Sequence, residues 1–181
     1  MINLRGQTLI KEEEGLRLKA YKCAANVYTI GHGHTSDAYF KVDKNTVITQ
    51  EFAEKLFIHD INEAEDTVKR QFPDWELLNE NQYASIVSFV FNTGSLKFYN
   101  KKKKRFEDRT ILIYLKKHEW DKVADSFLLY TKDIHGKQLA GLVKRRKNEK
   151  ALFLTPPPII EPLPMVAMDS WWSRLISFFK S

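Results

Sequence analysis

The stretch LIKEEEGLRLKAYKCAANVYTIGHGH, residues 9–34, decides how the chain is read. With Leu4, Leu9 and Ile10 as apolar positions, Ile2 to Glu14 is predicted to be a helix, and Gly15 supplies the residue that closes it. Beyond it the pattern changes. Tyr21, Val27, Tyr28, Thr29 and Ile30, punctuated by Gly31 and Gly33, predict a small antiparallel sheet within about residues 16–47. A helix ending on a carboxylate therefore runs into strands bearing a cysteine and a threonine. Eight residues separate Glu14 from Cys23, and five separate Cys23 from Thr29.

Further along, TQEFAEKLFIHDINEAEDTVKRQF (49–72) has Phe52, Leu56, Ile61, Ala64 and Val68 near helical spacing. Thr49 is a predicted N-cap and Pro73 a stop. NQYASIVSFVFNTG (81–94) is apolar on almost every side, as a helix at the centre of a bundle must be. Further helices are expected near 108–117, 119–130 and 138–153. Five prolines within 156–164 forbid regular structure, so 155–165 reads as a linker. In the following segment, VAMDSWWSRLISFFKS (166–181), Met168, Trp171, Trp172, Leu175, Ile176, Phe178 and Phe179 fall within an arc of about 160° on a helix, giving an amphipathic C-terminal helix.

The residues around Glu14, with Gly15, Tyr21, Gly31, Gly33 and His34, resemble the active-site segment of phage-type lysozymes, the family 24 muramidases. The resemblance recurs in order and spans roughly residues 4–154. Ile48-Thr49 with Ala53-Glu54-Lys55-Leu56-Phe57 is similar to the start of that family's lobe-connecting helix. Ser88-Phe89, Phe91-Asn92 and Gly94 resemble its buried central helix, and Gly141-Leu142, Arg145-Arg146, Glu149 and Leu152-Phe153 its closing helix. The implied fold is α+β and mainly helical, with a β-containing lobe at about 15–47. A larger helical lobe comprises the first helix and residues after about 70, and the active site lies between the two. The implied organisation is a catalytic domain at 1–154, then the linker and the terminal helix.

The resemblance also implies a reaction: hydrolysis of the β-1,4 bond between N-acetylmuramic acid and N-acetylglucosamine in peptidoglycan. Glu14 would protonate the leaving oxygen while Cys23 and Thr29 hold water on the opposite face. A carboxyl group that must donate near neutral pH is served by partial burial and by the negative end of a helix. A nearby arginine opposes both effects, and Arg145 and Arg146 are the candidates. Cys23 stands where aspartate is commoner, and a neutral thiol accepts hydrogen bonds poorly. Its competing readings are a small buried hydrophobe and a metal ligand with His32 and His34. His34, however, resembles a family histidine that pairs with an aspartate, here Asp60. No metal or other cofactor is expected. Phe91 and Asn92 match positions near the substrate cleft.

Bulk properties fit a soluble enzyme. The chain has 181 residues, 43% hydrophobic and 29% charged, enough for one well-buried domain. One cysteine excludes an internal disulfide framework. No apolar run of signal-peptide length precedes the glutamates at 12–14, so accumulation in a host cytoplasm and release to the wall through a holin-type lesion are expected. Residues 97–150 carry 17 basic and 7 acidic side chains, including Lys101–Arg105 and Lys144–Lys147, against 10 and 14 in residues 1–96. Such runs bind polyanions or merely face solvent. Here a cationic face would steer the enzyme to an anionic envelope, and nucleic acid is not the expected partner. The segment 166–181 either docks on the domain or engages outer-membrane lipid or lipopolysaccharide. A monomer is expected. Two other readings stay open: a lytic transglycosylase using Glu14 alone, and a non-enzymatic protein that binds polyanions or membrane.

Overall fold

Helix α1 (Leu4–Glu14) starts where the Asn3 side chain accepts from the Gly6 N–H, and it stops at Gly15, whose φ of 68° breaks the helical path. The structure, a computed structural model, describes residues 1–23, 26–133 and 135–157. The expected terminal helix at 166–181, and the linker beyond Pro157, lie outside the described residues.

Three short antiparallel strands follow in the order β1 (Arg17–Lys22), β2 (Tyr28–Gly31) and β3 (His34–Thr35). Tyr21 lies opposite Thr29, Thr29 opposite Thr35, and Ile30 opposite His34. Alternation sends Ile30 inward, where it joins Val42 and Leu56 in a small core edged by Tyr28, Phe40 and Phe52. Helix α2 (Gln50–Gln71) is capped by Thr49, whose Oγ1 accepts from the Phe52 N–H at 3.2 Å, and it ends just before Pro73. Its 22 residues span about 33 Å. Leu56 points into the small core, whereas Phe57, Ile61, Ala64 and Val68 enter the large one. One helix thus serves both lobes.

Helix α3 (Glu80–Thr93) opens with a reciprocal capping box between Asn79 and Gln82 and closes at Gly94 in the left-handed conformation. Ala84, Ile86, Val87 and Phe89 are fully buried, as its apolar sequence predicts. α1 approaches it so closely that a Cβ on Gly6 would lie 2.6 Å from Ala84 Cβ. Helices α4 (Thr110–Leu115), α5 (Trp120–Ser126) and α6 (Ala140–Leu154) complete the lobe, with α6 packed on α3.

The fold is α+β, and it departs from expectation in the helical lobe. A hairpin of β4 (Lys97–Asn100) and β5 (Arg105–Asp108) follows α3, where no strand was expected, and it delays α4 to Thr110. The helix expected at 119–130 is α5 plus a 3-10 turn at Phe127–Leu129. Among the described residues no helix is long and apolar enough to cross a membrane.

Candidate active site

Glu14 is the last residue of α1, and its side chain keeps 22% of its exposure. Gly33, in the turn between β2 and β3, faces it: a Cβ there would lie 3.3 Å from Glu14 Oε2. Gly33 adopts φ +99°, a region that a side chain would also disfavour. From this contact a cleft of roughly 360 Å³ runs between the lobes, lined by Gly33, Thr35, Asp60, Thr67, Phe91 and Gly94 among others. Phe91 therefore lies in the cleft wall.

Behind Glu14 sits a buried ionic network from α3 and α6. Arg145 donates through Nη1 to Glu14 Oε1, through Nη2 to the Ser88 carbonyl at 3.2 Å and through Nε to Glu149 Oε1 at 3.2 Å. Glu149 also accepts from Ser88 Oγ at 2.9 Å, and its Oε2 lies 3.0 Å from Arg146 Nη1, out of hydrogen-bond alignment. Arg146, fully buried and 4.8 Å over the Phe89 ring, donates to Asn92 Oδ1 at 2.5 Å. Of the two candidate arginines, Arg145 is thus the partner of Glu14, and Arg146 holds the exposed Asn92. Burial pushes the Glu149 carboxyl above its ordinary range, against the pull of both arginines. Burial also lowers Arg146 to about 10, so it stays cationic at neutral pH.

Thr29 is buried and directly opposite Thr35, so the two share a face of the sheet next to the cleft. Its Oγ1 donates to the Val27 carbonyl at 3.2 Å, and the same oxygen accepts the Cys23 N–H at 3.0 Å. One backbone carbonyl therefore fixes Cys23 and Thr29 relative to one another. Cys23 is half-buried at the end of β1. The Val27 link and the Gly33 contact were not foreseen in the sequence; the glycine at 33 was the available signal. Ser88 and Glu149 stood in the recognised motifs without an assigned role.

His34 turns to α2, its Nδ1 2.8 Å from Asp60 Oδ1, and the neighbouring Asp37 Oδ2 lies 2.8 Å from His59 Nε2. Burial alone would lower the His34 pKa, but the hydrogen bond and charge of Asp60, the Phe40 carbonyl and Asp37 outweigh it and raise the value. His32 is buried, with Nε2 3.9 Å from Glu54. Asp37, His59, Asp60 and Glu63 bring ligand-type atoms within 4.8 Å of one another, the described group best able to hold a cation, and Cys23 is not part of it.

The sequence matches the phage lysozyme family over residues 11–149. The chain belongs to the phage lysozyme family. The endolysin of Acyrthosiphon pisum secondary endosymbiont phage 1 is 38% identical over 155 residues, covering 84% of this chain and 97% of that one. Among solved structures, the active form of the P1 phage endolysin Lyz superposes with a TM-score of 0.74 at 26% identity, covering 84% of each chain. The muramidase domain of SpmX from Asticaccaulis excentricus reaches 0.69 at 30% identity, covering 86% of this chain and 99% of that domain. The helix-to-sheet junction at Glu14 is thus set in a phage-lysozyme fold, and membership supports peptidoglycan lysis as its activity.

Proposed function

We propose that the chain is an endolysin that hydrolyses the β-1,4 bond between N-acetylmuramic acid and N-acetylglucosamine, with Glu14 as general acid. The observation that carries this reading is the contact of Glu14 with Gly33, which lines the inter-lobe cleft: one carboxylate oxygen lies against Gly33 and the other is held by Arg145. That arrangement fixes where a proton leaves the carboxyl while keeping the group open to a sugar chain. Cys23 and Thr29, tied through the Val27 carbonyl, hold the attacking water on the other side of the sugar. Phe91 contributes an aromatic wall and Asn92 a polar group fixed by Arg146. The likeness to a muramidase domain supports the choice of bond. In this reading the enzyme acts as a monomer, accumulates in the host cytoplasm and meets the wall after a holin-type lesion. Residues 166–181 then engage outer-membrane lipid or lipopolysaccharide.

Glu14→Gln is the decisive variant. Degradation of purified peptidoglycan should fall by about 10²–10⁴-fold, and mass spectrometry of the wild-type products should show muramyl ends carrying an added water. Anhydro-muramyl ends would instead identify a transglycosylase in which Glu14 serves as both acid and base. Retained turnover in the variant would overturn the mechanism. Undiminished envelope disruption by it would point to a non-enzymatic binder.

A further inference from the structure

The β4–β5 hairpin is a ribbon of only two strands among the described residues, and its surface has an unusual composition. Tyr99 and Phe106 are directly opposed, share one face, and meet edge to face with centroids 5.4 Å apart. They are 51% and 70% exposed. Phe98 is on the other face and 39% exposed, and Ile113 of α4 (41%) borders a shallow groove beside Phe106. A two-stranded ribbon gains little stability alone in water, so these rings stay uncovered in an element that has no core of its own.

The tip adds charge. Lys101–Lys104 are all exposed, in a turn shaped by Asn100 Oδ1, which accepts from the N–H groups of Lys102 and Lys103 at 3.1 Å each. Glu107 draws in Lys103 and Arg105. Among the described residues, Lys101, Lys102 and Lys104 meet no carboxylate. From Lys97 to Asp108 there are six basic side chains against two acidic ones.

We propose that this hairpin is a docking element for an anionic lipid bilayer: the Tyr99–Phe106 face lies in the headgroup region while Lys101, Lys102 and Lys104 reach headgroup phosphates. Aromatic rings suit that boundary, and long lysine stems follow an apolar surface with their ammonium groups in the polar layer. Charge complementarity favours an anionic membrane over a neutral one. The shape favours lipid over single-stranded nucleic acid, because Tyr99 and Phe106 pack against each other at 66° instead of offering parallel stacking faces along a groove. The inference goes beyond the proposed hydrolysis and does not depend on it.

The test uses the full chain, wild type and two variants: K101Q/K102Q/K104Q in the exposed turn, and Y99S/F106S. Each is sedimented with phosphatidylglycerol-containing vesicles and with pure phosphatidylcholine vesicles, at low and high salt. Circular dichroism melting confirms that each variant is folded. The wild type should bind the anionic vesicles more tightly than the neutral ones, and this preference should shrink at high salt. The lysine variant should lose affinity by about fivefold per lysine removed. The aromatic variant should also bind more weakly, and both should degrade lipid-free peptidoglycan as the wild type does. Absence of wild-type binding, or unchanged binding by either folded variant, overturns the proposal and in the latter case assigns lipid contact to another segment. Displacement from vesicles by a single-stranded oligonucleotide that binds more tightly would make nucleic acid the partner, and loss of activity on lipid-free wall would make the hairpin a substrate-binding element.

Discussion

Arg145 on α6 holds Glu14 on α1 through Nη1, while its Nε is anchored on the fully buried Glu149. The orientation of Glu14 therefore depends on a carboxylate that never meets solvent. Replacing Glu149 by methionine would leave Arg145 and Arg146 buried without their shared counter-charge. The expected cost is about 3–5 kcal/mol, seen as a lower urea midpoint, with loss of hydrolysis even below that midpoint. An unchanged midpoint would show that the network does not hold the two helices together.

Gly33→Ala separates activity from stability. The new methyl group would lie 3.3 Å from Glu14 Oε2, in a backbone conformation with φ +99°. Strain alone costs about 1–2 kcal/mol, whereas crowding of the carboxylate acts on turnover. Peptidoglycan degradation should fall by more than the unfolding free energy accounts for; a variant as active as the wild type would remove Gly33 from the site.

The His34–Asp60 pair predicts a pH dependence with a definite sign. The folded-state pKa of His34 lies above its ordinary value near 6.5, because Asp60, the Phe40 carbonyl and Asp37 outweigh burial. Its stabilisation is complete below about pH 6.5 and is lost as pH rises through the raised value. Asp60→Asn should therefore destabilise the protein more at pH 6 than at pH 9. Equal losses at both pH values would show that the pair is structural packing without charge linkage. Asp37 behaves oppositely: burial raises it, but the Phe40 N–H and His59 lower it overall, so its contribution disappears in acid.

Much of this was legible because single residues carry it. Gly15 ends α1, Thr49 caps α2, and the motif around His34 pointed to Asp60. The choice between Arg145 and Arg146 was not legible. Adjacent helix positions differ by about 100° in direction, and both side chains are buried, so only packing against α1 and α3 separates them. The β4–β5 hairpin escaped for another reason. Its turn has no glycine and relies on the Asn100 side chain and a left-handed Lys104 (φ 50°), whereas four consecutive lysines suggest solvated helix or loop.

The contact between α1 and α3 offers a stability test remote from the chemistry. A Cβ on Gly6 would meet Ala84 Cβ at 2.6 Å, far inside van der Waals contact. Gly6→Ala should cost about 1–3 kcal/mol through overpacking, read by denaturant unfolding, even though alanine favours a helix. Gly6→Ala with Ala84→Gly should recover part of that loss; no recovery would place the strain elsewhere.

Glu14 and Arg145 are 131 residues apart in sequence. During synthesis Glu14 leaves the ribosome early, and its partner leaves only once the first part of α6 (Ala140–Leu154) has emerged. Asn81 then binds the Thr155 and Pro156 carbonyls while also accepting from Asn3, tying both ends of the described chain to α3. A nascent or truncated chain lacking α6 has Glu14 but nothing to aim it. The contact that orients Glu14 therefore forms only after α6 has been made and packed, late in the synthesis of the described fold.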